Sequence, residues 1–210
     1  MQNYADLLFT DAVRAYQARA GMADTYRDIY QGRFRDDLDE KTIAFISRQS
    51  TFYIASVSAS GWPYIQHRGG PPGFVKILGP DTIGFADYLG NRQFITRGNL
   101  DGDNRVSLFF MDYPNRTRLK MQGEARMLDA GDDPALAREL AQEGEGPVER
   151  LVTIKIVARD WNCPKYITPR FTEAEVQAII APQLNSLLEE NAGLKAQVAA
   201  LQTATIPKST

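Results

Sequence analysis

Between Gly61 and Gly123 short β-type runs alternate with turns, and this alternation constrains the fold more than any other feature of the chain. Side chains on a strand face opposite ways in turn, so each short run has one face to bury. Runs with this character are predicted at Thr51 to Ser58, Phe74 to Leu78, Thr82 to Ala86, Arg105 to Met111, Arg116 to Leu128 and Leu151 to Arg159. Ala59-Ser60-Gly61 makes a hairpin turn into Trp62 to Gln66, a strand-like run that leads into a loop. Six antiparallel strands joined by short turns predict a mainly β chain, a closed or split barrel, which removes exposed edges.

The flanks read differently. Residues 3 to 20 predict an amphipathic helix with a stripe of Tyr4, Leu7, Leu8, Val13 and Tyr16, ended by Gly21. Residues 24 to 37 are charged and read as a connecting loop anchored by Tyr26, Ile29, Tyr30 and Phe34. Asp39 is placed to cap a short helix running to Arg48. A second flanking helix is predicted over Asp133 to Glu143, starting near Pro134. The expected division is an N-terminal helical arm and loop (1–38), a barrel domain (39–170), and a C-terminal helix with a disordered end (171–210).

In that last segment Ile180, Leu184, Leu187, Asn191, Leu194, Val198 and Leu201 recur at alternating spacings of four and three. This is a heptad seam with Leu184, Asn191 and Val198 at a, and Ile180, Leu187, Leu194 and Leu201 at d. Asn at a favours a parallel two-stranded register, and Glu190 at g is placed to meet Lys195 at e of a second helix. The other reading is an amphipathic helix packed on its own domain. Pro182 is expected to kink the helix or begin the seam.

Composition narrows the function. At 210 residues and 43% hydrophobic, the chain has material for one cored domain with appendages. A net charge of −2 and a pI near 5.5 argue against general nucleic-acid binding. No apolar run is long enough to span a membrane, no signal-peptide pattern opens the chain, and a cytoplasmic protein is expected. One His and one Cys rule out an intrachain disulfide and make a conventional zinc site unexpected.

Three stretches carry candidate chemistry. Gln66-His67-Arg68-Gly69-Gly70-Pro71-Pro72-Gly73 combines glycines that let backbone approach a ligand, a guanidinium suited to phosphate, and the sole histidine. Local sequence alone favours an ordinary surface turn there. Lys76 lies within the apolar run Phe74 to Leu78, either facing water or placing a charge at a barrel mouth. Asp87-Tyr88-Leu89-Gly90-Asn91-Arg92-Gln93 leads into a short helix predicted over Gln93 to Leu100. Asn91 would cap it, and its first amides would be free for an anion beside Arg92. The alternative is an ordinary capped helix. Walker and GxGxxG patterns are absent.

Taken in order, these stretches resemble the FMN-binding split-barrel superfamily that includes pyridoxamine 5′-phosphate oxidase. Lys76 matches the family's strand lysine, and Asn91-Arg92-Gln93 falls where the family has a Ser-Arg-Lys turn. Asn104 to Phe110 and Arg118-Leu119-Lys120-Met121-Gln122-Gly123 resemble its next two strands. With Asp160-Trp161-Asn162-Cys163-Pro164-Lys165-Tyr166, the set is similar to the predicted flavin-nucleotide-binding branch, over roughly residues 40 to 170.

The departures are specific. The oxidase's arginine before the strand lysine has no match in register, Gln93 replaces the last lysine of the turn, and the Arg-x-His substrate signature is absent. The resemblance therefore implies FMN binding more than a pyridoxamine phosphate substrate. It implies a cofactor set of His67, Arg68, Gly69, Lys76, Tyr88, Asn91, Arg92, Gln93, Arg118 and Trp161, with His67 the catalytic candidate, Lys165 near the pocket and no metal. Cys163 reads as a small buried residue. The implied protein is a homodimeric FMN-dependent oxidoreductase acting on a small molecule. A non-catalytic flavin-binding module is the other reading, and a split barrel using F420 a third. Haem is disfavoured by the single histidine.

Overall fold

The computed structural model describes residues 1–32, 37–161 and 164–204, apart from the side chains of 202–204. It has two compact units, Met1–Ile167 and Thr168–Thr210.

The first unit opens with three short helices, α1 (Tyr4–Leu8), α2 (Asp11–Arg19) and α3 (Ala23–Tyr30). The single helix expected over residues 3 to 20 is broken at Phe9-Thr10. There Thr10 turns extended and its hydroxyl accepts the Val13 amide at 3.4 Å, capping α2. Gly21, at φ +68°, closes α2 in the left-handed region. The expected connecting loop is in part helical: α3 places Tyr26 and Tyr30 edge-on to Phe9, at 5.8 and 5.3 Å. Phe34 lies outside the described residues. Of the stripe expected on this arm only Tyr4 is buried, because α2 has no buried residue and Tyr16 is open to solvent. Asp39 caps α4 (Glu40–Ser47) through the Thr42 amide at 2.9 Å, and α4 buries Phe45 and Ile46.

The sheet comprises β1 (Thr51–Val57), β2 (Pro63–Gly69), β3 (Lys76–Ile77), β4 (Thr82–Tyr88), β5 (Arg105–Asp112), β6 (Thr117–Asp129) and β7 (Val148–Trp161). Helix α5 (Ile95–Gly102) joins β4 to β5, and α6 (Pro134–Leu140) joins β6 to β7. The strand count is seven rather than six. The run from Trp62 continues through the expected loop residues His67, Arg68 and Gly69, which pair with Tyr53, Phe52 and Thr51. Conversely β3 keeps two residues of an expected five. Adjacent Phe74 and Val75 are both buried, which a strand with one covered face does not allow.

Strand order is β2-β1-β5-β6-β7-β4-β3 with antiparallel pairing throughout, so β2 and β3 are edges. The sheet rolls on itself. Phe52 of β1 meets Phe85 of β4 edge-on at 5.3 Å, although three strands separate them in the sheet, and Phe52 also stacks on Phe110 at 4.9 Å. These rings, with Ile54, Ile83, Leu108, Leu119, Met121 and Ile154, form the core. The roll is helped by a bulge between Gln122 and Gly123. A Cβ at Gly123 would stand 2.9 Å from the Lys155 carbonyl, so only glycine fits.

The second unit is one helix, α7 (Glu173–Ala204), with Pro182 inside it. Thr172 and Glu175 close a reciprocal cap at its start: the Glu175 amide donates to the Thr172 hydroxyl, and the Thr172 amide donates to the Glu175 carboxylate. Among the described residues no helix is long and apolar enough to cross a membrane.

Candidate functional site

Where the sheet rolls shut, β2 and β4 face each other across the interior. Alternation on β2 turns Tyr64, Gln66 and Arg68 inward, and on β4 it turns Asp87 inward. The Arg68 guanidinium donates to Asp87 at 2.6 Å, and Arg150 at the start of β7 donates to the other oxygen of Asp87 at 2.9 Å. All three side chains are about 85% buried, Arg68 and Arg150 being 15% and Asp87 13% exposed. Arg150 also pairs with Glu149 at 3.3 Å, and Glu149 accepts from Arg92 at 3.2 Å. Charges of alternating sign thus run Arg68, Asp87, Arg150, Glu149, Arg92, linking the barrel interior to the loop after β4.

That loop is strained. Arg92 and Phe94 adopt φ of +56° and +55°, the left-handed region that non-glycine residues rarely enter. The expected helix start also moves. Helix α5 begins at Ile95 rather than Gln93, behind Phe94, which offers no side-chain cap. Asn91 instead accepts the Gln93 amide at 3.2 Å, so it shapes the turn, and among the described residues no side chain caps the start of α5. Buried polar bonds lock α5 in place: Thr96 donates to Gln66 at 2.7 Å, and Asn99 to Ser56 at 2.9 Å. Phe94 lies over the Arg150 guanidinium at 5.1 Å.

These parts line an open cavity of about 220 Å³. Among the described residues, four guanidinium groups, of Arg68, Arg92, Arg97 and Arg150, line it against one carboxylate, Asp87. The Arg68 Nε is buried and has no acceptor among the described residues. Buried donors are nearly always satisfied, so an arginine with one left over fits an anionic ligand. The volume is below the roughly 300–1,000 Å³ of pockets that bury a whole drug-sized ligand. It suits the charged end of a ligand rather than all of it.

Of the residues singled out in sequence, Arg68, Tyr88, Asn91, Arg92 and Gln93 come together here. The others do not. His67 is on the opposite face of β2, exposed, with its ring 5.6 Å from Tyr53. Gly69 ends β2. Lys76 pairs with Gly84 on the face of β4 opposite Asp87. Arg118 is on the outer face of β6, its guanidinium 5.9 Å from the Phe109 ring centre. Trp161 packs edge-on against Phe45 at 4.9 Å and takes the Lys41 ammonium over its ring at 4.7 Å. Lys165 is exposed beside the Tyr166 ring, and Cys163 lies outside the described residues.

Sequence reasoning missed Asp87, Arg97, Glu149 and Arg150. The available signal was on β2, where Tyr64, Gln66 and Arg68 put polar groups at every second position. Arg150 has no local signal, since it meets Asp87 from 63 residues away.

Trp161 lines a second cavity of about 360 Å³, with Tyr4, Tyr30, Asp39, Lys41, Arg159 and Asp160 among its walls. Arg159 pairs with Asp39 at 3.1 Å, and Lys120 with Asp160 at 2.7 Å. Burial, and then the charge and hydrogen bond of Asp160, push the Tyr30 phenol above its ordinary value. Burial alone would raise the Asp39 carboxyl, but bonds from Thr42 and the Arg159 charge hold it below its ordinary value. Among the described residues no cluster of His, Cys, Asp and Glu could hold a metal ion.

The family profile described as pyridoxamine 5′-phosphate oxidase matches residues 38–158, more than half of the chain. A search of curated proteins found no match. Among solved structures, the chain is similar to a tagged form of HupZ from Group A Streptococcus at 16% identity and a TM-score of 0.48, over 63% of this chain and 98% of that one. It is similar to an FMN-binding protein from Syntrophomonas wolfei subsp. wolfei at 17% identity and a TM-score of 0.47, over 68% and 98%. An F420 reductase is similar at 15% identity and a TM-score of 0.41, over 56% and 94%.

Proposed function

Because this chain belongs to the pyridoxamine 5′-phosphate oxidase family, we propose that it binds FMN and acts as an FMN-dependent oxidoreductase on a small molecule. The observation that carries this reading is the arginine-lined cavity inside the matched span, with its excess of guanidinium over carboxylate and the unsatisfied Arg68 Nε.

In this reading Arg68, Arg92 and Arg150 hold the phosphate by charge-assisted hydrogen bonds, each contributing about 1.5–3 kcal/mol. Asp87 does not touch the ligand. It fixes two guanidinium groups, one from β2 and one from β7, and keeps them oriented. Asn91 shapes the turn that carries Arg92 and presents the first amides of α5, an end that favours negative charge. The cavity takes the phosphate end of FMN, leaving the ring system outside it. When bound, the flavin supplies hydride or electron transfer, and the protein supplies position and charge.

The test is the visible absorption spectrum of freshly purified protein, with the released chromophore identified by mass. A flavin band and the mass of FMN are expected, and anaerobic bleaching of that band by a nicotinamide donor, with recovery when an acceptor is added, would then support turnover. A colourless protein that does not take up added FMN would remove this cofactor.

A further inference from the structure

Helix α7 carries a set of residues that the flavin site does not use. In this 32-residue helix Ile180, Leu184, Leu187, Leu194, Val198 and Leu201 are 47–67% exposed. Such a row of large apolar side chains on one helix is costly to leave in water, at about 25 cal/mol per Å². The helix is intact through Pro182, which falls at an outward f position, where loss of its amide leaves the seam uninterrupted.

We propose that α7 forms a parallel two-stranded coiled coil with α7 of a second copy of this chain. Three features specify this occupant. The apolar positions repeat as a and d over about three heptads, which a marginal isolated helix needs a partner to stabilise. Asn191 at a pairs with its own copy only when the helices are parallel and in register, and it selects two strands. Glu190 at g meets Lys195 at e of the partner in that arrangement, whereas antiparallel helices set g positions against g positions.

The test uses full-length protein in a Cys163→Ser background. Leu194→Cys, at d, is expected to run as a disulfide-linked dimer on a non-reducing gel, and Ala196→Cys, at the outward f position, is not. Adding Glu190→Lys to Leu194→Cys should cut the linked fraction several-fold, and Lys195→Glu should restore it. Absence of a link at 194, or equal linking at 194 and 196, would overturn the proposal. A second test keeps Cys163. Asn191→Leu, which removes the stability cost of a polar residue at a, should raise the melting temperature of the α7 helix signal; an unchanged or lower value would mean that position 191 is not in a seam.

Discussion

The two charged cavities of the first unit differ in the charges of their walls, and under the proposed function one holds a ligand and the other is a structural joint. The cavity around Trp161 has two basic and two acidic side chains in its wall, Lys41 and Arg159 against Asp39 and Asp160. Its charges are used internally: Arg159 with Asp39, and Asp160 with Lys120. The N-terminal arm meets β7 beside it, through the hydrogen bond between Tyr30 and Asp160 and the Gln2 amide bonded to the Val157 carbonyl at 2.6 Å. The cavity at the rolled edge has four arginines and one aspartate among the described residues, and a strained loop over it. Its arginines also pair, Arg68 and Arg150 with Asp87, Arg92 with Glu149 and Arg97 with Asp101, but the Arg68 Nε has no acceptor among the described residues, which leaves donor capacity for an anion.

The largest effect expected from this contrast is on stability. Asp87→Ala leaves two arginines, each about 85% buried, without their shared carboxylate. Loss of one partner from a buried pair costs about 3–5 kcal/mol, so the denaturation midpoint should fall steeply and FMN affinity with it. A midpoint within error of the parent would show that the network is not strongly coupled to folding.

Next comes Arg92→Ala. Its side chain is 62% exposed, so stability should be nearly unchanged. FMN affinity should fall by about 1.5–3 kcal/mol, readable by fluorescence titration. Lys41→Ala, at the balanced cavity, should leave FMN affinity unchanged. If Lys41→Ala weakens FMN as much as Arg92→Ala does, the roles of the two cavities have been reversed.

The smallest effect is acid sensitivity at the joint. The Asp39 carboxyl is lowered in the folded state, so its stabilisation is full above about pH 4 and lost as pH falls through the folded value. Asp39→Asn keeps a capping oxygen for the Thr42 amide but removes that charge. Its stability at neutral pH should drop, and the gap to the parent should close in acid. A gap that widens in acid would contradict the assignment.

What the sequence could disclose follows from range. The antiparallel runs, the Asp39 cap and the proline-led α6 are local patterns and were legible as such. Of β2 only the first half was, as the strand-like run Trp62 to Gln66; His67-Arg68-Gly69 has the composition of a loop and owes its extension to pairing with β1. Helix α3 was hidden by its charges and is supported by Phe9 against Tyr26 and Tyr30. At the site, Asn91 and Arg92 showed themselves through the turn they occupy. Asp87 and Arg150 did not, because their roles exist only once the sheet rolls. The same roll, read from the alternation of β2, puts His67 and Arg68 on opposite faces, a separation that their adjacency in sequence conceals.

The most direct test of the central claim compares FMN with riboflavin, which lacks the phosphate, on the parent protein and on Arg92→Ala. If the arginine-rich cavity holds phosphate, FMN should bind at least about tenfold more tightly than riboflavin, about 1.4 kcal/mol, and that preference should shrink in the variant. Equal affinities for the two ligands, or a preference that survives Arg92→Ala unchanged, would contradict it.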